Sequence, residues 1–235
     1  VVRQYGVPAG KVRVIPNGVW SSKHRPSDMA RPDVVAVGRI HERKGFDLLV
    51  RAVARSPDAL HGHRLTIVGS GEMEASLRAL IRSEGVATRV RLAGHLPDDR
   101  LRDLLAHARL LVMPSRYEGF GMVMIEGMAS GLPVLSTRAG AAPDVIEAGV
   151  NGFLVGPDDP TDRSREDEVV EGLSAGLADA LSDIDRLRRM GVEARRTVEA
   201  TYSWDRIAGM TVDVYREAIA ARDGPGREGP AGGRR

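Results

Sequence analysis

The sequence predicts an α/β protein organised around a doubly wound parallel sheet. Six short apolar runs, mostly without polar alternation, are typical of strands that are buried on both faces. Helical patterns, with apolar residues three and four positions apart, lie between these runs. Several of the runs end at a glycine-containing turn, and in sheets of this kind ligands bind at the strand ends.

Strands and helices alternate along most of the chain. The predicted strands are residues 34–37, 65–68, 90–93, 110–113, 134–136 and 153–155. The helical stripes are Phe46, Leu49, Val50 and Val53, then Leu77, Leu80 and Ile81, and then Leu101, Leu104 and Leu105. Because such units are joined by right-handed crossovers, the carboxyl ends of the strands lie along one edge of the sheet.

Composition narrows the function classes. The 235 residues carry 34 basic and 32 acidic side chains, and the basic ones are scattered rather than striped, which argues against a nucleic-acid-binding protein. The absence of cysteine excludes a disulfide framework and a thiolate metal site. No apolar run is long enough to span a bilayer and no signal-peptide pattern occurs at Val1, so we expect a cytoplasmic protein.

Residues 114–133 form the segment around which the predicted site is built. They follow an apolar strand and contain a turn before an apolar helical pattern. Gly119 and Gly121 leave the backbone of this turn open to a ligand, because neither carries a side chain. The amides at positions 120–123 are the unpaired donors of a new helix, so an anion would bind well there.

Two glutamates flank this turn. Glu118 precedes the glycines and Glu126 lies one to two turns into the helix, so their carboxylates project from different elements. This arrangement makes sense if the amides hold phosphates while the carboxylates accept hydrogen bonds from hydroxyl groups, as on a ribose and a sugar ring. The alternative is a buried helix with a glycine-rich lead-in.

A basic segment, residues 38–45, follows the first predicted strand. Arg39 comes directly after the strand, and Lys44, one of three lysines in the chain, lies just before the next helix. Both side chains can reach a polyphosphate above the sheet. The alternatives are exposed charges on a loop, or an arginine stacked on the preceding linker.

Glu118 and Glu126, with the Glu-Gly-Phe-Gly core between them, closely resemble the signature of the family 4 retaining glycosyltransferases of the GT-B fold. The resemblance implies the C-terminal, donor-binding half of such an enzyme, which is Rossmann-like. It implies catalytic roles for Arg39 and Lys44 on the donor diphosphate and for Glu118 on the donor sugar, with Glu126 on the ribose. The other donor-binding residues that it implies are Gly38, His95, Leu96, Gly119, Phe120, Gly121, Met122 and Val123.

Three further loops follow predicted strands. Residues 94–97 resemble the loop beside the nucleotide base, although His95 could also be a general base or, more often at such a position, a local hydrogen-bonding residue. Residues 69–71 are interpreted as a tight strand-to-helix turn, because Glu74 stands where a nicotinamide-binding motif needs glycine. Residues 138–144 are expected to back the sugar pocket.

The resemblance also divides the chain into parts. Residues 1–32 are interpreted as a remnant of the N-terminal domain and the interdomain linker, with a short strand at residues 12–15. Residues 33–222 are the donor-binding domain with its closing helices, in which Trp204 is expected to pack in the core. Residues 223–235, rich in glycine, proline and charge, are expected to form a disordered tail.

The predicted function is transfer of a hexose-type sugar, with retention, from a nucleoside diphosphate to an acceptor. The nucleoside-diphosphate sugar is a substrate, so no cofactor is expected. No metal is expected either, because the Asp-Ile-Asp sequence at residues 183–185 lies between helices, away from the strand ends. Without an acceptor-binding half, the chain alone is expected to be inactive or nearly so.

Two alternatives stay open at this point: a nucleotide-sugar epimerase of the same fold, and a non-catalytic nucleotide-sugar-binding module. The expected partners are the donor and a sugar, lipid-linked or small-molecule acceptor, with no nucleic acid. A peripheral membrane contact through the other domain and a separate N-terminal-domain chain are also left open.

Overall fold

The computed structural model describes residues 5–56, 58 and 60–223. Within them, six strands form one sheet in which every pairing is parallel. The strands are β1 (Asp33–Val37), β2 (Arg64–Val68), β3 (Val90–Gly94), β4 (Leu110–Met113), β5 (Val134–Thr137) and β6 (Gly152–Val155). Their bounds agree with the predicted runs to within one residue, so the predicted doubly wound α/β sheet is confirmed.

The spatial order of the strands is β3-β2-β1-β4-β5-β6. The chain builds outward from β1 to β3, returns to the centre and then builds outward from β4 to β6. The strands β1 and β4 are therefore neighbours at the point where the order reverses, with Val34 paired to Leu110 and Val35 to Leu111. In such sheets a ligand crevice forms at this point, beyond the carboxyl ends of the two strands.

Helices cover both faces of the sheet. They are α1 (Phe46–Arg55), α2 (Glu74–Ser83), α3 (Asp98–Leu105), α4 (Met122–Ala129), α5 (Ala142–Val145), α6 (Glu166–Leu181), α7 (Ile184–Thr197) and α8 (Trp204–Asp223). Short 3-10 helices occupy Ala9–Lys11, Ser21–Lys23, Glu42–Lys44 and Arg163–Arg165, and a π-helical turn, Val198–Tyr202, follows α7.

Two apolar layers hold these helices to the sheet. One layer joins α1, α2 and α6 to the first face through buried side chains such as Leu48, Leu77 and Leu173. The opposite layer joins α3 and α4 to the second face through Leu105 and Met124. Burial of each such side chain stabilises the fold by about 1.5–3 kcal/mol. The carboxyl edge of the sheet is therefore supported from both sides.

The chain enters and leaves this sheet unit side by side. Val19 forms an isolated parallel bridge with Ser203, and its amide donates to the Tyr202 carbonyl at 2.8 Å. Trp204 then covers Gly18, where a methyl group would lie 2.9 Å from the indole ring. Trp204 thus packs against the entering segment and is half-buried by that contact.

The strand predicted at residues 12–15 is wrong. These residues belong to no strand, although Val12 has an extended backbone, and Val14 is 83% exposed. A strand needs a hydrogen-bonded neighbour, and none of the described residues supplies one for this segment. Its apolar pattern therefore indicated the local conformation correctly and the pairing incorrectly.

Residues 26–31, which fall in the predicted linker, lie against the sheet unit. The Ser27 amide donates to the Ser130 carbonyl at 2.8 Å, and the Ser27 hydroxyl donates to the Ala108 carbonyl at 2.6 Å. Met29 is buried between the same elements. The predicted tail lies outside the described residues except for Asp223, the last residue of α8.

Replacement of Gly45 tests how closely the loops at the carboxyl edge approach each other. A methyl group at Gly45 would lie 1.9 Å from the Pro114 carbonyl oxygen, and Gly45 has a φ of 66°. We expect Gly45→Ala to cost about 1–2 kcal/mol from the left-handed backbone and about 1–3 kcal/mol more from the clash. Chemical denaturation measures the loss.

Gly85→Ala is the matched control. Gly85 has a φ of 68°, but nothing lies within 4 Å of the added methyl group. It should show the backbone cost alone, about 1–2 kcal/mol. Equal losses in the two variants would contradict the close loop contact.

Candidate active site

Two loops meet at the reversal point of the sheet. The first follows β1 and contains the short helix Glu42–Lys44, and the second connects β4 to α4. The backbone amides of Arg116 and Tyr117 donate to the Arg43 carbonyl at 2.8 and 3.2 Å. Together with the tight approach of Gly45 to Pro114, these bonds make the two loops one structural unit.

The predicted catalytic residues Lys44 and Glu118 form an ion pair across this contact. Their side chains are only 15% and 13% exposed, so solvent screens the pair weakly. The Glu118 carboxylate also accepts hydrogen bonds from the Ser115 hydroxyl at 3.5 Å and from the Gly119 amide at 3.2 Å. Sequence analysis assigned the two side chains to different parts of a ligand and did not predict that they bind each other.

In the turn before α4, Gly119 is exposed with nothing within 4 Å of an added methyl group, whereas Gly121 is buried and a methyl group there would lie 3.0 Å from the Met113 side chain. Gly121 has a φ of 86° and precedes Met122, the first residue of the helix. Phe120 packs inward, with its ring centroid 5.9 Å from that of Tyr202, so its backbone rather than its ring faces the turn. Met122 is 37% exposed at the start of the helix, and Val123 packs partly against the apolar layer beneath it.

Glu126 lies in the second turn of α4 and is half-buried. Its carboxylate makes no hydrogen bond or ion pair with any described residue. Burial raises the pKa of the Glu126 carboxyl above its usual value, the negative charge of Asp98 adds to this rise, and Arg102 opposes it. Glu126 is therefore a hydrogen-bond acceptor without a protein partner in the described part of the chain.

A cleft of about 510 Å³ opens over the carboxyl ends of β1, β2 and β3. Four of the predicted donor-binding residues line it: Gly38, Arg39, His95 and Leu96. On one side of the cleft the loops after β1 and β2 are in close backbone contact at Gly69. A methyl group at Gly69 would lie 1.9 Å from the Gly38 carbonyl oxygen. The predicted tight turn at residues 69–71 is thus part of the cleft.

Arg39 extends from the cleft toward solvent. Its side chain is 71% exposed and lies 3.4 Å from the Glu72 carboxylate. Exposed pairs of this kind are worth at most about 1 kcal/mol. Arg39 can therefore exchange Glu72 for an anionic ligand at small cost.

The remaining predicted residues lie beside the cleft rather than in it. Lys44 borders it, because its Cε would lie 3.3 Å from a methyl group at Gly38. Glu126 is close enough to Asp98, which lines the cleft, to be affected by its charge. Gly140 lies against the Glu118 loop, since a methyl group at Gly140 would lie 2.5 Å from the Glu118 carbonyl oxygen.

Comparison with known families decides the family to which this arrangement belongs. Residues 21–197 match the model of the family described as "Glycosyl transferases group 1". The chain belongs to this family. Its sheet is the Rossmann-like unit of GT-B glycosyltransferases, as the resemblance in the sequence predicted.

Individual glycosyltransferases match most of the chain. The GDP-mannose-dependent alpha-(1-6)-phosphatidylinositol monomannoside mannosyltransferase of Mycobacterium tuberculosis is 32% identical over 234 residues, covering 92% of this chain and 58% of that protein. Sucrose-phosphate synthase from Thermosynechococcus elongatus has a TM-score of 0.76 at 29% identity, covering 94% of this chain and 56% of that one.

A second solved structure has the same fold. HepE from Anabaena, in complex with UDP and glucose, has a TM-score of 0.77 at 23% identity, covering 92% of this chain and 59% of that one. The chain spans about half the length of the curated relatives that it matches.

Arg116 supports the candidate site and was missed by sequence analysis. Its guanidinium donates to the Asp47 carboxylate through two bonds of 2.7 Å, to Glu166 at 2.7 Å and to the Glu42 carbonyl at 2.9 Å. Burial would lower the pKa of Arg116, but its bonds to Asp47 and Glu166 outweigh that effect and raise it. No sequence signal separated Arg116 from the many exposed arginines, because both acids lie far from it along the chain.

Within the described part of the chain, no group of three or more histidine and acidic side chains could hold a metal ion. Asp183 caps α7 by accepting from the Arg186 amide at 2.9 Å, and Asp185 pairs with Arg188 at 2.8 Å. None of the described helices is both long and apolar enough to cross a bilayer.

Replacement of Arg116 tests its supporting role. In Arg116→Ala the carboxylates of Asp47 and Glu166, whose side chains are 16% and 22% exposed, lose their main partner. We expect a loss of about 3–5 kcal/mol in the free energy of unfolding, the usual effect of breaking a buried ion pair. Chemical denaturation monitored by circular dichroism measures this loss.

Arg188→Ala is the control for this measurement. Arg188 forms an exposed pair with Asp185 on α7, with side chains 56% and 76% exposed. Its removal should change the free energy of unfolding by less than about 1 kcal/mol. Similar effects for the two variants would refute the supporting role of Arg116.

Proposed function

We propose that the chain binds a nucleoside-diphosphate sugar at the reversal point of its sheet, as the donor-binding part of a retaining glycosyltransferase. The observation that carries this proposal is the meeting of Lys44 and Glu118 beside a cleft lined by Arg39 and Gly38. Cationic and acceptor groups side by side suit a ligand that carries both phosphates and hydroxyl groups.

Lys44 can bind a phosphate while it remains paired with Glu118. An ammonium group has three donors, and the ion pair with Glu118 uses only some of them. A diphosphate beside Gly38 would therefore receive charge from Lys44 and Arg39 together with the open amides at the start of α4. Glu118, held in place by Lys44, would accept hydrogen bonds from the hydroxyl groups of the donor sugar.

Glu126 is assigned to the ribose. Its carboxylate lacks a partner among the described residues, and the charge of Asp98, which lines the cleft, contributes to the raised pKa of the Glu126 carboxyl. Vicinal ribose hydroxyls would supply the hydrogen bonds that this half-buried carboxylate otherwise lacks, at about 1.5–3 kcal/mol for each charged contact.

In the proposed reaction the bond between the anomeric carbon and the diphosphate oxygen breaks, and the acceptor oxygen bonds to the same face of that carbon. The acceptor proton passes to the departing phosphate oxygen, which becomes more basic as its charge grows. Lys44, Arg39 and the amino end of α4 stabilise that charge electrostatically. The residues of this chain therefore account for leaving-group stabilisation without a metal.

Proteins similar to this chain differ in nucleotide base and sugar. The mycobacterial relative is named as GDP-mannose-dependent, whereas the HepE structure holds UDP and glucose. The loop at residues 94–97 would read the base through backbone atoms, which leave little trace in a sequence. Because the matched family and the named relative are transferases, we favour transfer over epimerisation.

Donor binding is tested by calorimetry with nucleosides and nucleoside diphosphates, with and without a chelator. Arg39→Ala and Lys44→Ala should each weaken diphosphate binding by about 1–3 kcal/mol and leave nucleoside binding unchanged. Glu126→Ala should weaken both, since ribose is common to both ligands. The chelator should have no effect.

Arg43→Ala is the matched control, because Arg43 lies in the same loop with an exposed side chain. It should leave all of these affinities unchanged. Metal-dependent binding would contradict the proposed leaving-group stabilisation, and full nucleoside affinity in Glu126→Ala would contradict the ribose assignment. A panel of uridine, guanosine and adenosine diphosphates identifies the base in the same experiment.

The 235-residue chain alone is expected to bind a donor without efficient transfer. GT-B enzymes react between two domains, and the positioning of an acceptor can be worth about 7–11 kcal/mol of the barrier. Mass spectrometry of an acceptor panel measures transfer, and NMR of the donor detects any epimer. Efficient transfer would overturn the half-enzyme interpretation, and epimer formation would overturn the choice of transfer.

A further inference from the structure

A second cleft lies at the opposite, amino-terminal ends of β1, β2 and β3. It has a volume of about 540 Å³, within the range of small-molecule sites. Four arginines line it, Arg31, Arg64, Arg89 and Arg91, whereas Asp33 is the acid among the residues lining it. We call it the basic cleft. It takes no part in the proposed donor site, because the length of the strands separates the two.

Three polar side chains of the basic cleft lie on one face of the sheet. Arg64 and Thr66 are two residues apart on β2 and so project from the same face of the sheet. Thr66 pairs in register with Arg91 of the neighbouring strand β3. All three line the cleft, so two arginines and one hydroxyl group share the same wall of it.

The Thr66 hydroxyl is available to a ligand. Thr66 is only 2% exposed, and its side chain makes no hydrogen bond with any described residue. The hydroxyl is not sealed from solvent, because it is not among the buried side-chain polar atoms that lack a partner. It can therefore hydrogen-bond to a ligand in the cleft without giving up a bond within the protein.

The charges around this hydroxyl favour an anion. Arg64 and Arg91 form no ion pair with a described residue, whereas Arg31 pairs with Asp103 at 3.2 Å and Arg89 donates to the Ser56 carbonyl at 3.4 Å. The Asp33 carboxylate opposes an anion, but it is one charge against those of Arg64 and Arg91, which have no ion-pair partner in the described part of the chain. The cleft therefore keeps a positive balance.

His63, which also lines the cleft, adds no charge to this balance. Burial lowers the pKa of its imidazole, and the nearby Arg109 lowers it further, against the effect of its bond to Leu60. Arg109 donates to Nε2 at 2.6 Å, so the proton is on Nδ1, which donates to the Leu60 carbonyl at 2.8 Å. A neutral His63 thus fixes Arg109 behind the cleft.

We propose that the basic cleft binds a small phosphate-bearing anion, independently of the sugar donor. Two arginines and a hydroxyl on one wall of the cleft suit the oxygens of a phosphate group, since guanidinium forms paired bonds to such oxygens. An extended polyanion fits less well, because the net charge of the chain is only +2 and its basic residues are scattered. The concave shape also suits a compact ligand.

The test uses inorganic phosphate and pyrophosphate as probes, with calorimetry for affinity and amide chemical-shift mapping for location. Saturable shifts at residues 64–66 and 88–91 are expected. Arg64→Ala and Arg91→Ala should each weaken this binding by about tenfold or more, and Thr66→Val, which removes the hydroxyl while keeping the shape, by about threefold or more. Unfolding midpoints show that each variant is folded.

Arg206→Ala is the matched control, because Arg206 is exposed on α8 and forms no ion pair in the described part of the chain. It should bind phosphate like the parent chain. Shifts confined to residues 38–45, or unchanged affinity in all three cleft variants, would overturn the proposal. A separate arm uses phosphatidylcholine vesicles containing phosphatidic acid, and binding to vesicles without binding of inorganic phosphate would also overturn it.

Discussion

The backbone contact between the loop after β1 and the loop after β4 is the constraint on which the candidate active site depends. Lys44 and Glu118 are 74 residues apart in sequence, and they meet only because these two loops are held together. A nearly buried ion pair carries a large desolvation cost, which good geometry must offset. Arg116 supplies that geometry by binding α1, α6 and the first loop at once.

The two glutamates of the site have different electrostatic states, which suits different tasks. The Glu118 carboxylate forms an ion pair with Lys44 and accepts a hydrogen bond from the Gly119 amide. It is therefore a fixed acceptor close to a positive charge. Glu126 has no counterion in the described part of the chain, and burial raises its pKa. A donor with phosphate at one end and neutral hydroxyl groups at several positions fits this separation of charge.

The sheet could be predicted from sequence because each buried strand is a short continuous apolar run, and the runs that predicted β1 to β6 depend on no distant residue. The edge on which Lys44 and Glu118 lie followed from the same pattern. Features that depend on contacts between residues distant in sequence were not predicted. Residues 12–15 had the composition of a strand but no neighbour, and Arg116 could not be recognised without knowing that Asp47 and Glu166 approach it. Arg64 and Arg91 were hidden for the same reason, since only the strand register joins them through Thr66.

The glycines at the carboxyl edge also limit how this sequence can diversify. A methyl group at Gly45, Gly69 or Gly140 would collide with a carbonyl oxygen of a neighbouring loop, so the loops touch through their backbones. None of these loops can change its backbone path without displacing the neighbouring loop. Changes of side chain at this edge are therefore expected to be tolerated best at exposed positions such as Ser70, His95 and Tyr117. The same frame can in this way be kept through many changes of ligand preference.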